Sequence, residues 1–218
     1  MTTLTTAPLA PLLERLFAQA GAATSPALAE ISADERARLV RSKTEYLDFY
    51  ERVKDLWLPV SRETGRLLYM LARACRARTV VEFGTSFGIS TLHLAAALRD
   101  NGGGRLITTE FEPGKVARAR EHLIEADLGD LVEIREGDAL KTLSAGLPET
   151  IDLLLLDGAK ALYGDVLTLV ESRLRPGSII IADNADFSPD YVERVRSPTG
   201  PYLSLPFAED VELSVRLG

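Results

Sequence analysis

The spacing of apolar residues changes near residue 79 from a helical period to short continuous runs. Before that point apolar side chains recur at helical spacing, as in Leu9–Gln19 and Ser61–Ala74, and this spacing predicts amphipathic helices. The run Ser-Ala-Asp-Glu at 32–35 resembles a capping box, so we expect a long helix from there to about Lys54. After residue 79, short aliphatic and β-branched runs alternate with helical patterns, which predicts strands that alternate with helices.

Seven short apolar runs are the predicted strands: Thr79–Phe83, Arg105–Glu110, Leu131–Arg135, Ile151–Leu156, Ser178–Ala182, Pro201–Leu205 and Val211–Leu217. The predicted helices between them are Ile89–Leu98, Pro113–Ala126 and Leu162–Leu174, the last closed by Arg175–Gly177. This alternation predicts an α/β fold with a single doubly wound, mostly parallel sheet. The last two strands are joined by a short turn around Glu209 and Asp210, which predicts an antiparallel edge.

Composition narrows the class of protein. A chain of 218 residues fits one domain, which we divide into an N-terminal helical segment, 1–58, and a ligand-binding catalytic domain, 59–218. The net charge of −7 gives no phosphate-binding surface, so we expect no nucleic-acid partner. Apolar runs stay shorter than the roughly 20 residues that span a bilayer, and the N-terminus lacks a signal-peptide pattern. We therefore expect a cytoplasmic protein without a membrane partner.

The first predicted strand runs into the loop E-F-G-T-S-F-G-I-S at 82–90, whose glycines at 84 and 88 allow close backbone approach to a ligand. The middle glycine of a dinucleotide loop, G-x-G-x-x-G, is missing. An acidic residue, Glu82, stands before the first glycine and suits an amine-bearing, cationic ligand such as S-adenosylmethionine. The alternative is a tight turn with no ligand. The predicted cofactor loop includes Gly84, Thr85, Ser86, Gly88 and Ser90.

Two more strand ends carry acidic residues. Glu110 ends the second strand, 28 residues after Glu82, and a carboxylate there can accept both ribose hydroxyls of a nucleoside. Asp138 follows the third strand and could reach the adenine amine. Because ligands of doubly wound sheets bind at the carboxyl ends of the strands, these three positions together predict a nucleoside-containing cofactor.

The fourth strand ends in Asp157-Gly-Ala-Lys160 and the fifth in Asp183-Asn184. Carboxylate and amide oxygens are ligands for Mg²⁺ or a similar ion and not for zinc. A metal would bind a substrate oxygen and lower its pKa, and Lys160 beside that cation is a candidate general base. The alternatives are that the aspartates cap the following helices and that Lys160 is a solvated lysine at a helix start.

In this combination and order, the motifs resemble the cation-dependent O-methyltransferases, the family of the caffeoyl-CoA and catechol O-methyltransferases and their bacterial relatives. The resemblance covers roughly Val60 to the C-terminus and includes Ile107–Glu110, Gly137–Ala139, and Asp157-x-x-Lys160 with Tyr163. It implies a class I methyltransferase fold, similar to the Rossmann fold, and in-line transfer of a methyl group to a phenolic oxygen. It also implies that the protein is a homodimer.

The resemblance also implies roles for individual residues. Asp157, Asp183 and Asn184 would hold the divalent metal, and Lys160, with Asp157, would be catalytic. The cofactor contacts would include Val60, Glu82, Gly84, Ser90, Glu110, Asp138, Ala139 and Asp157. Plant caffeoyl-CoA enzymes have an aspartate, and catechol enzymes a tryptophan, where this chain has Ala159. Where catechol enzymes place a substrate-binding glutamate, the chain reads Pro201–Leu205, so we expect a roomier or more apolar acceptor pocket.

Other functions remain open from the sequence. The first is a metal-independent methyltransferase on the same fold, acting on a small molecule or on RNA, against which the oxygen-ligand set and the acidic charge argue. The second is a nicotinamide dehydrogenase, against which the missing middle glycine argues. The third is a non-catalytic binding protein. The leading hypothesis is an S-adenosylmethionine- and Mg²⁺-dependent O-methyltransferase that acts on a phenolic or hydroxylated small molecule.

Overall fold

The sheet has the topology that the sequence predicts. A computed structural model describes residues 1–207 and 210–218. The strands are β1 Thr79–Phe83, β2 Arg105–Glu110, β3 Val132–Glu136, β4 Ile151–Leu156, β5 Leu174–Ala182, β6 Tyr202–Phe207 and β7 Val211–Arg216. Among the described residues they form one sheet in the order β3-β2-β1-β4-β5-β7-β6. The first five strands are parallel, and β7 runs antiparallel to β5 and β6, which confirms the antiparallel edge.

Helices flank the sheet on both faces. They are α1 Leu9–Ala22, α2 Pro26–Ala29, α3 Ala33–Val40, α4 Tyr46–Arg52, α5 Arg62–Ala74, α6 Ile89–Asp100, α7 Pro113–Glu125, α8 Ala139–Thr142, α9 Tyr163–Val170 and α10 Pro189–Arg196. Single 3₁₀ turns include Lys160–Leu162 and Ala185–Phe187, which follow β4 and β5. Crossovers through helices between parallel strands place the carboxyl ends of those strands along one edge of the sheet.

Two apolar clusters fill the two faces of the sheet. Because successive strand residues point to opposite faces, Val80 belongs to one cluster and Val81 to the other. The first cluster includes Leu9, Leu12 and Leu16 of α1, which are at most 1% exposed. The N-terminal helix therefore packs into the same core as α5 and α6. A third, smaller cluster joins α3 to α4 and contains Phe49.

The long helix expected from residue 32 to Lys54 is wrong. The structure has two shorter helices, α3 and α4, separated by residues 41–45. The Ser42 hydroxyl accepts hydrogen bonds from the backbone N–H groups of Thr44 (3.4 Å) and Glu45 (3.0 Å). Such local bonds offer the backbone an alternative to helical pairing, so the chain turns there, and α4 folds back toward the carboxyl ends of the strands.

Three further differences lie in the second half of the chain. The helix expected to reach Leu174 ends earlier, at Val170, and Leu174 already begins β5. Residues 175–177 do not close a helix; they belong to β5, whose pairing with β4 shifts register between Ile151 and Leu153. Helix α10 was not predicted. The predicted turn at Glu209 and Asp210 lies partly outside the described residues.

No helix of the described part is long and apolar enough to cross a membrane.

Candidate active site

A cavity of about 520 Å³ lies at the carboxyl ends of the parallel strands. One side is formed by residues that end or follow β1 to β5, and the other by the N-terminal segment. The strand side contributes Gly84, Ser86, Glu110, Asp138, Ala139, Asp157, Lys160, Asp183 and Asn184. The N-terminal side contributes mostly apolar residues, including Leu28, Val40, Tyr46, Phe49, Tyr50, Val53, Leu56 and Leu58.

The loop after β1 depends on its glycines. Gly84 has a φ of +104°, which L-residues rarely adopt, and a Cβ there would lie 2.5 Å from the backbone oxygen of Asp157. Gly88, with a φ of +88°, immediately precedes α6. The loop therefore passes close to the end of β4 and turns into the N-terminus of α6 along the cavity.

The carboxylate of Glu82 lies beneath this loop. It is fully buried and accepts hydrogen bonds from the hydroxyls of Ser90 and Thr91, both at 2.6 Å. Burial raises the pKa of Glu82 to about 7, although the hydroxyl donors oppose this. Glu82 lines neither the large cavity nor the smaller cleft beside the loop. Its contacts tie β1 to the start of α6.

Replacing Glu82 with glutamine should flatten the pH dependence of stability. The carboxyl binds its proton more tightly in the folded state (pKa about 7) than in the unfolded chain (about 4.5). Its contribution is therefore fully present below pH 4.5 and is lost as the pH rises through 7. In the ligand-free wild type, we expect a loss of about 3 kcal/mol over that window.

Urea unfolding of both proteins at several pH values measures this effect. The glutamine side chain is nearly isosteric with that of glutamate. Its amide can still accept a hydrogen bond from one hydroxyl and donate a hydrogen bond to the oxygen of the other. Parallel pH curves for the free energy of unfolding of the two proteins would contradict the raised pKa.

Glu110 is oriented by the backbone around it. One carboxylate oxygen accepts from the N–H of Ser86 (2.9 Å), and the other accepts from the N–H groups of Phe111 and Glu112 (both 3.0 Å). The side chain is 9% exposed and lines the cavity. These three backbone hydrogen bonds fix the direction of the carboxylate, as binding of two vicinal hydroxyls requires.

Asp138 caps a helix and also contacts the N-terminal segment. Its Oδ1 accepts from the N–H of Leu140 (3.0 Å), which caps α8, and from the hydroxyl of Tyr46 (3.2 Å). It also lines the cavity. The second contact connects the N-terminal segment to the strand side of the cavity.

Two buried aspartates and a lysine line the cavity where β4 and β5 end. Lys160 Nζ lies 2.9 Å from Asp157 Oδ1, and both side chains are about nine-tenths buried. Burial, followed by the charge of Asp157, raises the pKa of Asp183 to about 7. Burial also raises the pKa of Asp157, although Lys160 opposes it. Burial lowers the pKa of Lys160, but its neighbours Tyr163, Asp157 and Asp183 raise it well above the usual value.

Asn184 extends this group of oxygen donors. It has a φ of +49°, and its amide nitrogen donates to Asp210 Oδ2 at 2.6 Å. Among the described residues, its amide oxygen has no hydrogen-bond donor, so that atom remains available as a ligand. The described part contains no group of three His, Cys, Asp or Glu side chains that could hold a metal; the candidate set is two carboxylates and an amide. The two buried carboxylates and the amide oxygen are hard oxygen donors, the kind of ligand that Mg²⁺ and similar divalent cations prefer.

Neither aspartate caps a helix. The 3₁₀ turns and helices that follow β4 and β5 have no side-chain cap from Asp157 or Asp183. The backbone oxygen of Asp183 accepts from the buried Tyr163 hydroxyl at 2.7 Å, which fixes the end of β5. The capping alternative is therefore wrong for both residues, and their carboxylates face the cavity.

The structure brings most of the predicted site residues to one place, but not all. Nine line the large cavity, from Gly84 to Asn184 as given above. Thr85 and Ser90 line only the smaller cleft beside the loop. Three predicted cofactor residues line neither space: Val60, Glu82 and Gly88.

Several cavity residues could not be found from the sequence. Tyr46 and Tyr50 belong to the N-terminal segment, where no motif was recognised. Lys115 is 6% exposed and lines the cavity, although in sequence it is an ordinary helix lysine. Asp210, which directly precedes β7 and does not itself line the cavity, contacts Asn184. Only their position in space marks these residues.

The fold and this arrangement of strand-end residues define a class I methyltransferase domain. Residues 81–185 match a family described as a methyltransferase domain. The chain is 33% identical over 188 residues to catechol O-methyltransferase B of Danio rerio, and the match covers 79% of this chain and 70% of that protein. The chain belongs to the methyltransferase family that includes the catechol O-methyltransferases.

Other relatives support the same assignment. A catechol O-methyltransferase of Niastella koreensis is 36% identical over 130 residues, a match that spans 58% of each chain. The chain thus covers little more than half of that relative, and 57% of the catechol O-methyltransferase of Mycobacterium tuberculosis. The O-methyltransferase TomG of Streptomyces achromogenes, solved in complex with S-adenosylmethionine, superposes with a TM-score of 0.66 at 25% identity, covering 93% of this chain and 95% of that chain.

Proposed function

We propose that the protein is an S-adenosylmethionine-dependent, divalent-metal-dependent O-methyltransferase that acts on a phenolic or hydroxylated small molecule. The observation that carries the proposal is the division of one cavity into two chemically different ends. Glu110 and Asp138 follow β2 and β3 on one side of β1 in the sheet, Asp157, Lys160 and Asp183 follow β4 and β5 on the other side, and the glycine loop after β1 lies between the two sets. A methyl donor and a hydroxylated acceptor would bind side by side in such a space, and holding them in line is a large part of catalysis.

The chain's own residues have separate parts in this proposal. Glu110 would accept the ribose hydroxyls, and Asp138 would face the adenine. Lys160 would take the proton of the acceptor hydroxyl at Nζ, beside Asp157, in the state in which a divalent ion offsets the two carboxylates that raise the pKa of Lys160. A Mg²⁺ ion held by Asp157, Asp183 and Asn184 would supply positive charge that lowers the pKa of that hydroxyl. The proposed cofactor residues are Val60, Glu82, Gly84, Thr85, Ser86, Gly88, Ser90, Glu110, Asp138, Ala139 and Asp157.

The N-terminal segment, 1–58, would cover the acceptor. Leu28, Val40, Phe49 and Val53 give this wall its apolar character, which favours an aromatic acceptor body over a sugar or a peptide. The proposal also includes a homodimer, which the family resemblance implies, and a cytoplasmic location.

Calorimetric titration with S-adenosylhomocysteine, first in Mg²⁺ and then in EDTA, tests the proposal. We expect micromolar binding in both conditions, followed by Mg²⁺-dependent methylation in a screen of catechols and other phenols. Absence of binding in both conditions would overturn the cofactor assignment.

A metal-independent methyltransferase is the second candidate. The observation that favours it is the ion pair between Lys160 and Asp157 (2.9 Å). This pair already balances the negative charge of one of the two carboxylates without a metal ion. The two candidates differ in the EDTA arm, because methyl transfer that persists in excess EDTA would favour the second.

Replacing Glu110 with alanine should weaken S-adenosylhomocysteine binding at least about a hundredfold. Two hydrogen bonds to a charged group are lost, and each contributes about 1.5–3 kcal/mol. Glu112→Ala is the matched control, because Glu112 lies two residues away and accepts from the N–H of Lys115 but does not line the cavity. Calorimetry on both variants gives the dissociation constants. Equal affinity in Glu110→Ala and wild type would remove Glu110 from the ribose role.

A further inference from the structure

One link between the N-terminal segment and the catalytic domain is an aromatic stack. Trp57 lies on the segment that connects α4 to α5, and Phe87 lies at the tip of the loop after β1. Their ring centroids are 4.0 Å apart and their planes differ by 11°, a parallel stack. Each side chain is only partly buried, and Trp57 also packs against the first apolar cluster.

A buried lysine contacts the same phenylalanine. Lys115 Nζ lies 5.5 Å from the centroid of the Phe87 ring, a cation–π distance. Lys115 is 6% exposed and belongs to α7, which begins shortly after Glu110. Phe87 is therefore held both by the connecting segment and by the helix next to the proposed ribose site.

The residues around Trp57 form a wall shared by both ends of the cavity. Leu56 and Leu58 line the large cavity, whereas Trp57, Leu58 and Pro59 line a narrow cleft against the glycine loop. That cleft measures only about 10 Å³, so the segment and the loop lie in direct apposition. A shift of the segment would change the cofactor side and the acceptor side together.

We propose that Trp57, through its stack on Phe87, is the positioning residue that fixes segment 56–59 over the cofactor loop. The inference rests on the proposed function. The stack holds the loop in the geometry that binds the cofactor, and it holds Leu56 and Leu58 in the acceptor wall. Trp57 itself need not contact either ligand. Its role is to make cofactor affinity depend on the N-terminal segment.

The single tryptophan makes a direct test possible. The chain has one tryptophan, so all tryptophan emission comes from this position. Addition of S-adenosylhomocysteine to the wild type should change that emission along a saturable curve, and its midpoint should equal the calorimetric dissociation constant. An emission spectrum that stays constant while calorimetry reports binding would overturn the proposal.

Substitutions separate positioning from general stability. We expect Trp57→Leu and Phe87→Leu to weaken S-adenosylhomocysteine binding about tenfold, equal to about 1.4 kcal/mol. Trp57→Phe and Phe87→Tyr keep a stacked pair and should restore most of the affinity. Phe17→Leu is the matched control, because Phe17 is also a partly buried aromatic beneath a cation, Arg62 at 4.4 Å, but lines neither space.

The outcomes distinguish this inference from the proposed function. A wild type that binds no S-adenosylhomocysteine would overturn both. If the wild type binds S-adenosylhomocysteine and both leucine variants bind it with the same affinity, only the role of Trp57 is overturned. That role is also overturned if the conservative variants lose as much affinity as the leucine variants. It is overturned as well if Phe17→Leu loses as much affinity as they do. Thermal unfolding of each variant identifies any that fail to fold, and for those the wild-type fluorescence titration decides.

Discussion

Asp183→Ala should lower the rate of methyl transfer roughly a thousandfold, because the loss of metal stabilisation removes several kcal/mol from catalysis. Asp183 is 7% exposed and lies with Asp157 and Lys160 at the acceptor end of the cavity. Glu110 follows β2, which is separated from β5 by β1 and β4 in the sheet, so cofactor affinity should remain close to that of the wild type. Methylation rates across a Mg²⁺ series, together with S-adenosylhomocysteine titration, measure the two effects separately.

Asp186→Ala is the matched control for that variant. Asp186 is exposed, lies three residues farther along the chain, and does not line the cavity. The Asp186→Ala variant removes a carboxyl group from the 3₁₀ turn that follows Asp183, outside the cavity, and should leave both rate and affinity unchanged. The metal assignment would be refuted if Asp183→Ala lost cofactor binding but kept the metal dependence of the wild type.

Gly84→Ala should destabilise the protein and abolish cofactor binding. A Cβ at this position would lie 2.5 Å from the backbone oxygen of Asp157, and neither backbone can move freely, since β1 and β4 are paired in the sheet. The φ of +104° adds strain for any L-residue, about 1–3 kcal/mol. We expect a loss of at least about 3 kcal/mol in the free energy of unfolding, since the steric clash adds to that strain.

Gly164→Ala provides the comparison. Gly164 lies in α9, and a Cβ there would meet nothing within 4 Å. Alanine in a helix is more stable than glycine by roughly 0.5–1 kcal/mol, so this variant should be unchanged or slightly more stable. Urea unfolding and S-adenosylhomocysteine titration of both variants measure the difference. Wild-type stability and affinity in Gly84→Ala would show that the loop does not need a glycine at that position.

The alternation of strands and helices was predictable because it depends on local pattern. The bounds of β1, β2 and β4 agree with the sequence prediction to the residue, since these buried parallel strands are short runs rich in aliphatic and β-branched residues. The break between α3 and α4 was not predictable from periodicity, because the hydroxyl of Ser42 competes for backbone donors within an otherwise helical pattern. The early start of β5 was missed because Pro176 and Gly177 are typical of a loop, yet here they lie in an irregular strand.

The sequence by itself determined the class of fold and the acidic strand-end motifs, because the topology of a doubly wound sheet brings the carboxyl ends of its strands together. Only the tertiary structure decided which motif residues line the cavity and which, like Glu82, support it from beneath. It also brought Tyr50, Lys115 and Trp57 to the site. Such residues come from helices and connections whose docking depends on long-range packing, and a local pattern along the chain does not encode long-range packing.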